Sequence, residues 1–183
     1  ETSQTDRALT FTLSDVPVPR LSEIRAWLKQ AHLPAHIRKH CAVVARVAGA
    51  CADDLLARGV FVRKRALIAA AHAHDLLRFV DFHAKAGKQF PVPEPADFAV
   101  WQKLKAEYGV PHEMAAVQWL TKHGYPDIGE IIRTHGSHCV RDAAFLPQTT
   151  EQLVLSYADK RVMFDKVVSL DERFDDFVVR YSD

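Results

Sequence analysis

The stretch LIAAAHAHDLLRFV, residues 67–80, places His74 and Asp75 side by side within an alanine-rich, apolar run. An isolated charge in the middle of a buried helix is costly, so the carboxylate must be paired, protonated or bound to a metal ion. Arg78 lies one turn later and can form an ion pair with Asp75 at i, i+3 spacing. That ion pair is the purely structural explanation of this sequence.

Two further polar residues fall beside apolar helical stripes. His40 shares a helix face with Ile37 and Val44, and Asp159 lies beside the apolar face of a later segment, LVLSYADKRVMF at 153–164. A core histidine satisfied by a hydrogen bond would explain His40 taken alone. Two histidines and two aspartates from three helices, however, form a donor set that suits Mn, Fe, Co, Ni or Mg. The sequence therefore predicts a metal site inside a helical bundle.

The elements that must position these residues are helices. Apolar residues recur at helical spacing along most of the chain, and sustained period-2 alternation occurs only near its start. Ser22 is the expected N-cap of the first helix, Gly59 follows the second, and Thr149 or Thr150 caps the seventh. The predicted helices span 21–33, 34–58, 63–82, 95–109, 111–124, 125–136, 149–164 and 169–182. This pattern predicts an all-α fold, a compact bundle of about seven or eight helices.

Composition narrows the classes of function. The sequence predicts an N-terminal arm over residues 1–19 and a single helical domain over residues 20–183. A net charge of +1 gives no reason to expect a nucleic-acid partner, and no apolar run approaches the roughly 20 residues that span a bilayer. Three cysteines without a CxxC pair suggest a reducing, cytoplasmic environment. The chain opens with Glu1, so the sequence leaves open whether a segment precedes it.

In this order, His40, His74-Asp75 and Asp159 resemble the ligands of the HD-domain superfamily of metal-dependent phosphohydrolases. LPAHIRKHCAVVARVA resembles that family's first ligand helix, ALIAAAHAHDLLRF its HD helix, and YADKRV the segment that carries its last aspartate. The similarity runs from about Leu33 to Tyr181. It implies an HD-type bundle with the metal site in its interior.

A further segment extends the resemblance to a second metal ion. PHEMAAVQWLTKHGYPDIGEIIRTHG is similar to the insert of dinuclear members, which implies that His112 and His135 bind a second ion and that Asp75 bridges the two. The alternative is that both histidines are surface residues at helix ends. Gly136 stands where some members have a second histidine, and His138 can substitute for it. Arg78 occupies the position of a glutamate in some mononucleotide phosphatases, which argues against their arrangement here.

The resemblance implies hydrolysis of a small phosphate ester or nucleotide-like substrate by a metal-bound hydroxide. One or two divalent ions are the expected cofactors, drawn from Fe, Mn, Co, Ni, Mg or Zn. Asp75 or Asp159 would assist proton transfer, while Arg78 and Lys160 would supply positive charge for the phosphate. Two alternatives stay open: a mixed-valence di-iron oxygenase with the same ligands, and a non-catalytic ligand-sensing or partner-binding module. A homo-oligomer is compatible with the sequence.

Overall fold

The computed structural model describes residues 16–82, 94–109, 111–136 and 146–181, with residues 180 and 181 described by their backbone alone. These residues form eight α-helices, one short 3₁₀ helix and one two-stranded hairpin, so the all-α prediction is confirmed. The α-helices are α1 Leu21–Gln30, α2 Ala35–Ala57, α3 Lys64–Ala73, α4 Pro95–Tyr108, α5 His112–Lys122, α6 Pro126–Ile132, α7 Thr150–Lys160 and α8 Leu170–Tyr181. The 3₁₀ helix is Arg78–Asp81, and the strands are β1 Val162–Met163 and β2 Lys166–Val167.

Several helix ends lie where the sequence places them. Gly59 follows α2 and Gly109 follows α4, both with the positive φ that glycine adopts without strain. Thr149 caps α7, since its Oγ1 accepts the N–H of Gln152 at 3.2 Å. The predicted cap Ser22 is wrong: α1 begins at Leu21, one residue before it.

The third helix is shorter than predicted. It ends at Ala73 rather than near Phe82, and a turn and the 3₁₀ helix follow. The N–H of Leu76 bonds to the carbonyl of Ala73 at 2.9 Å, and that of Arg78 to the carbonyl of Asp75 at 3.0 Å. These i to i−3 bonds tighten the chain beyond the helix. The His74-Asp75 pair therefore lies where the α-helix ends and not at its centre.

The seventh helix also stops early. The prediction of a helix through Phe164 is wrong, because α7 ends at Lys160 and β1 pairs antiparallel with β2. Val162 faces the core and Phe164 adopts φ 57 in the intervening turn. The four-residue ladder is too short to produce a visible alternation in the sequence.

Helix α3 occupies the centre of the bundle and packs against α1, α2, α6 and α7. Its alanines are buried, and their small side chains let the neighbouring helices approach closely. On α2, which faces α3, Gly49 lies against the Ile68 side chain. The helices that carry His40, His74 and Asp159 consequently meet at the C-terminal end of α3.

Some predictions fall outside the described residues, namely those on residues 1–15 of the arm and on His138. The domain boundary at residue 20 stays a prediction. Among the helices that the structure describes, none is both long enough and apolar enough to cross a bilayer.

Candidate metal centre

The six predicted ligands converge beside the end of α3. Each comes from an element boundary or a buried helix face, and their side chains are between 0 and 15 % exposed. His40 lies on α2, His74 and Asp75 follow α3, His112 begins α5, His135 follows α6, and Asp159 lies in the last turn of α7. The interpretation of His112 and His135 as surface residues is therefore wrong, because both are only 3 % exposed.

Two of the histidines are oriented by their own helices. His74 Nδ1 lies 2.8 Å from the carbonyl of Ala71, and His135 Nδ1 lies 2.7 Å from the carbonyl of Ile132. Carbonyls in the last turn of a helix retain acceptor capacity, so each ring donates its Nδ1 hydrogen to one of them. The Nε2 atom of each ring is thereby directed into the site.

His40 and Asp159 form the first cluster together with His74. His40 Nδ1 lies 2.9 Å from the carbonyl of Phe164, and its Nε2 lies 3.0 Å from Asp159 Oδ1. The same carboxylate oxygen is 3.6 Å from His74 Nε2. Lys160 Nζ donates to Asp159 Oδ2 at 2.9 Å and to the carbonyl of His135 at 2.6 Å, which joins α7 to the end of α6.

The second cluster is formed by Asp75, His112 and His135. Asp75 Oδ1 lies 3.1 Å from Nε2 of His112 and 3.8 Å from Nε2 of His135, while the two Nε2 atoms are 3.2 Å apart. With both Nδ1 atoms engaged as donors, two nitrogen lone pairs would face each other across this gap. Such an approach is favourable only when a proton or a cation lies between the nitrogens.

His112 is held from its outer side by Asp81, a residue that the sequence interpretation missed. Asp81 Oδ2 contacts Nδ1 of His112 at 2.5 Å, and Oδ1 accepts the backbone N–H of His112 at 3.2 Å. Arg78 Nη1 lies 3.2 Å from Asp81 Oδ2, so the ion pair observed for Arg78 is with Asp81 rather than the predicted one with Asp75. The available signal was a second acidic residue in the apolar run after the His-Asp pair.

Glu113 is a second acidic residue that the sequence interpretation missed. It is 1 % exposed, and its Oε2 lies 3.3 Å from Nδ1 of His112. With His112 and His135 it forms a third group whose donor atoms lie close enough together to hold a metal ion. Carboxylates therefore surround the His112 ring on its outer side, where Glu113 is buried, as well as on its inner side.

Nearby charged groups shift the pKa values of two of the buried histidines upward. Burial lowers the pKa of His74, but the nearby Cys41 and Asp75 outweigh it and raise that pKa well above its ordinary value. Burial likewise lowers the pKa of His112, and its bonds to Asp75 and Asp81 raise it above the usual value. The carboxylates thus favour the protonated form of the His74 and His112 rings.

Burial and nearby charges also shift the pKa values of Asp159 and His135. Burial raises the pKa of Asp159, but Lys160 and His40 bring that pKa well below its usual range. The pKa of His135 is lowered, chiefly by burial. Asp159 is therefore ionised, and the His135 ring is the more readily neutral of the buried histidines.

The donor atoms fit a divalent cation. The buried Nε2 of His74 makes no hydrogen bond with any part of the chain that the structure describes, its nearest carboxylate oxygens being 3.6 and 3.7 Å away. Two neighbouring ligand atoms about 2.1 Å from an octahedral ion lie about 3 Å apart. The inward-facing atoms here are 3.0 to 3.8 Å apart. These His and Asp groups can hold a metal ion.

Comparison with protein-family models, with curated proteins and with solved structures finds no match for this chain. The assignment of the fold and of the candidate metal site therefore rests on the residues and distances described above. The resemblance to the HD-domain superfamily stays a prediction from the sequence motifs.

Proposed function

We propose that the protein is a dinuclear, HD-type metal-dependent phosphohydrolase that acts on a small phosphate ester or nucleotide-like substrate. One observation carries the proposal: four imidazole rings bind oxygen acceptors through Nδ1 and turn Nε2 toward two buried carboxylates. Metal-binding histidines characteristically have such an oxygen partner on the nitrogen that does not bind the metal. The order of the His and Asp motifs supports the same class of protein.

The clusters divide the ligands between two metal positions that share one carboxylate. His40, His74, Asp75 and Asp159 would hold the first ion, and Asp75, His112 and His135 the second. Asp75 Oδ2 lies 3.7 Å from Nε2 of His74, whereas its Oδ1 lies 3.1 Å from Nε2 of His112. One oxygen is thus available to each position, as a bridging ligand requires.

When bound, a divalent ion lowers the pKa of its water ligand and polarises a phosphoryl oxygen. The chain's own groups would hold that ion and its water in place. Asp75 and Asp159 would act there as ionised ligands and hydrogen-bond acceptors, since both have pKa values well below the usual range. A carboxylate with so low a pKa is a weak general base, so we assign to both the orientation of the ion and its water.

Lys160 and Arg78, the two cations expected to bind phosphate, have a different role in this proposal. Lys160 is bonded to Asp159 and to the carbonyl of His135, and Arg78 contacts Asp81 and the His112 ring. We assign to both the positioning of ligand side chains. Lys160 in addition balances the charge of Asp159, since it is the leading cause of the low pKa of that carboxyl.

The test is reconstitution of the metal-stripped protein with Mn²⁺, Fe²⁺ or Co²⁺ one at a time. Release of p-nitrophenol from p-nitrophenyl phosphate and from bis(p-nitrophenyl) phosphate is then measured. We expect turnover only after reloading, and its loss in His74→Ala. His36→Ala is the matched control, because His36 is an exposed histidine one turn before His40 on the same helix and should leave turnover unchanged.

Other outcomes would support the alternatives. Oxygen consumption by the iron-loaded protein without phosphate ester cleavage would favour the di-iron oxygenase. Failure of the wild-type protein to bind any of the three metals would contradict both enzymes and favour a binding module.

A further inference from the structure

We infer that Asp81 is the positioning residue of the second metal position, and that this position holds its ion more weakly than the first. The inference rests on the proposed dinuclear site. It concerns a residue outside the six ligands that contacts both the ring and the backbone N–H of His112.

The geometry links Asp81 to His112 twice. Its Oδ2 contacts Nδ1 of the His112 ring, and its Oδ1 accepts the backbone N–H of the same residue. The first contact favours a hydrogen on Nδ1, against the Arg78 Nη1 donor that lies 2.9 Å from the same atom, and the second anchors the start of α5. Together they hold His112 Nε2 near Asp75 Oδ1 and His135 Nε2.

Both contacts require an acceptor, and a carboxylate supplies two. Arg78 Nη1, 3.2 Å from Asp81 Oδ2, adds a third donor. An asparagine amide has one oxygen only, so either orientation turns its NH₂ group toward a donor. If that NH₂ group faces Nδ1, the hydrogen of the ring moves to Nε2, the atom that would bind the metal. Asp81→Asn therefore keeps the shape of the side chain and opposes the orientation that metal binding needs.

The other inward-facing histidines do not depend on a carboxylate in this way. His74, His135 and His40 donate Nδ1 to main-chain carbonyls, which no side-chain substitution removes. His112 alone among these four rings has a carboxylate at Nδ1. The Asp81 side chain is also 25 % exposed, whereas that of His74 is 0 % exposed. The second position thus has three protein ligands where the first has four. The Asp81 side chain that holds His112 is also partly exposed to solvent.

The experiment is a titration of the metal-free protein with Mn²⁺, read by equilibrium dialysis and by the EPR signal that distinguishes a coupled ion pair from an isolated ion. We expect two equivalents in the wild type. Asp81→Asn and Asp81→Ala should keep the first equivalent and bind the second about 10- to 100-fold more weakly, with loss of the coupled signal. Asp81→Glu, which retains two acceptors, should recover part of the second affinity.

Asp97→Asn is the matched control, because Asp97 bonds to Nδ1 of His32 at 2.7 Å in a carboxylate–histidine pair outside the six ligands. It should bind both equivalents as the wild type does. Two equivalents of unchanged affinity in folded Asp81→Asn would overturn the inference and leave the proposed function intact. Equal loss of both equivalents would overturn the position-specific role. A wild type that binds no metal would overturn the proposed function as well.

Discussion

Asp75 Oδ1 lies 3.1 Å from Nε2 of His112, although the two residues come from separate segments of the chain. The contact is produced by the early end of α3, since Asp75 belongs to the turn that follows Ala73. On its other side the carboxylate approaches His74, its neighbour in sequence. A single buried carboxylate therefore links the two histidine clusters.

This linkage predicts that Asp75→Asn loses both metal ions and not one. The amide keeps the size of the side chain but removes the negative charge that each position would share. Metal content after reconstitution and gel filtration is the measurement. Asp53→Asn is the control, since Asp53 is 63 % exposed and pairs with Lys64 on the surface. Retention of one tightly bound ion in Asp75→Asn would show that the carboxylate belongs to one position alone.

Metal affinity should rise with pH. The raised pKa values of His74 and His112 mean that both rings keep a second proton, and so a positive charge, in the metal-free protein at pH values where ordinary histidines are neutral. An incoming cation must displace those protons, so binding is weak below these pKa values and reaches a plateau above them. Calorimetric titrations in buffers of different ionisation enthalpy would detect the released protons. An affinity independent of pH would contradict this coupling.

The sequence predicts the fold well where the signals are local. Thr149 and Gly59 act within one turn of the residues that they cap, and each marks a boundary that the structure has. The end of α3 is different, because the apolar pattern continues through Val80 although the helix stops at Ala73. Burial on several sides makes that segment apolar in any conformation, so periodicity does not distinguish a helix from tight turns.

The residues of the candidate site, likewise, are predictable from the sequence only where the signal is local. The histidines and aspartates are identifiable because polar residues on an apolar face require a partner. Asp81 carries the local signal of a second acidic residue after the His-Asp pair, but its role depends on a contact with His112 that helix periodicity does not specify. Arg78 shows the related error: i, i+3 spacing favoured Asp75 on a continuous helix, while the 3₁₀ turn pairs it with Asp81 at the same spacing.

A glycine on α6 controls the approach of α5 and α6. A Cβ atom at Gly129 would lie 3.1 Å from the Cα and 3.3 Å from the carbonyl oxygen of Val117, both backbone atoms that cannot move aside alone. Gly129→Ala should lower the free energy of unfolding by about 1–3 kcal/mol. It should also weaken the second metal position, because α5 begins with His112 and α6 precedes His135. Chemical denaturation and Mn²⁺ titration measure the two effects.

Gly49→Ala is the counterpart of this variant. A Cβ atom there would lie 3.6 Å from the flexible end of Ile68, an ordinary packing distance. Because alanine is the better helix former, this change should leave stability equal or raise it by up to about 1 kcal/mol. Equal effects of the two substitutions would contradict the view that backbone contact at Gly129 sets the spacing of the helices.

Glu151 joins the first turn of α7 to the start of α3. Its Oε1 accepts the backbone N–H of Arg63 at 2.8 Å and the Nε–H of the same residue at 3.2 Å. Burial raises the pKa of Glu151, but these bonds outweigh it and lower the pKa below the ordinary value. Glu151→Gln should therefore reduce the free energy of unfolding at neutral pH by about 1–3 kcal/mol.

The sign of the pH dependence follows from that lowered pKa. An acid whose pKa is depressed on folding contributes stability that is complete above its unfolded pKa, about 4.3 for glutamate, and is lost as the pH falls through the folded value. The difference between wild type and Glu151→Gln should thus be constant near neutral pH and shrink in acid. Urea denaturation at several pH values measures it. Glu130→Gln, at a carboxylate that is 55 % exposed, should change stability by less than about 0.5 kcal/mol throughout. A gap that widens in acid would mean that Glu151 is stabilised as the neutral acid.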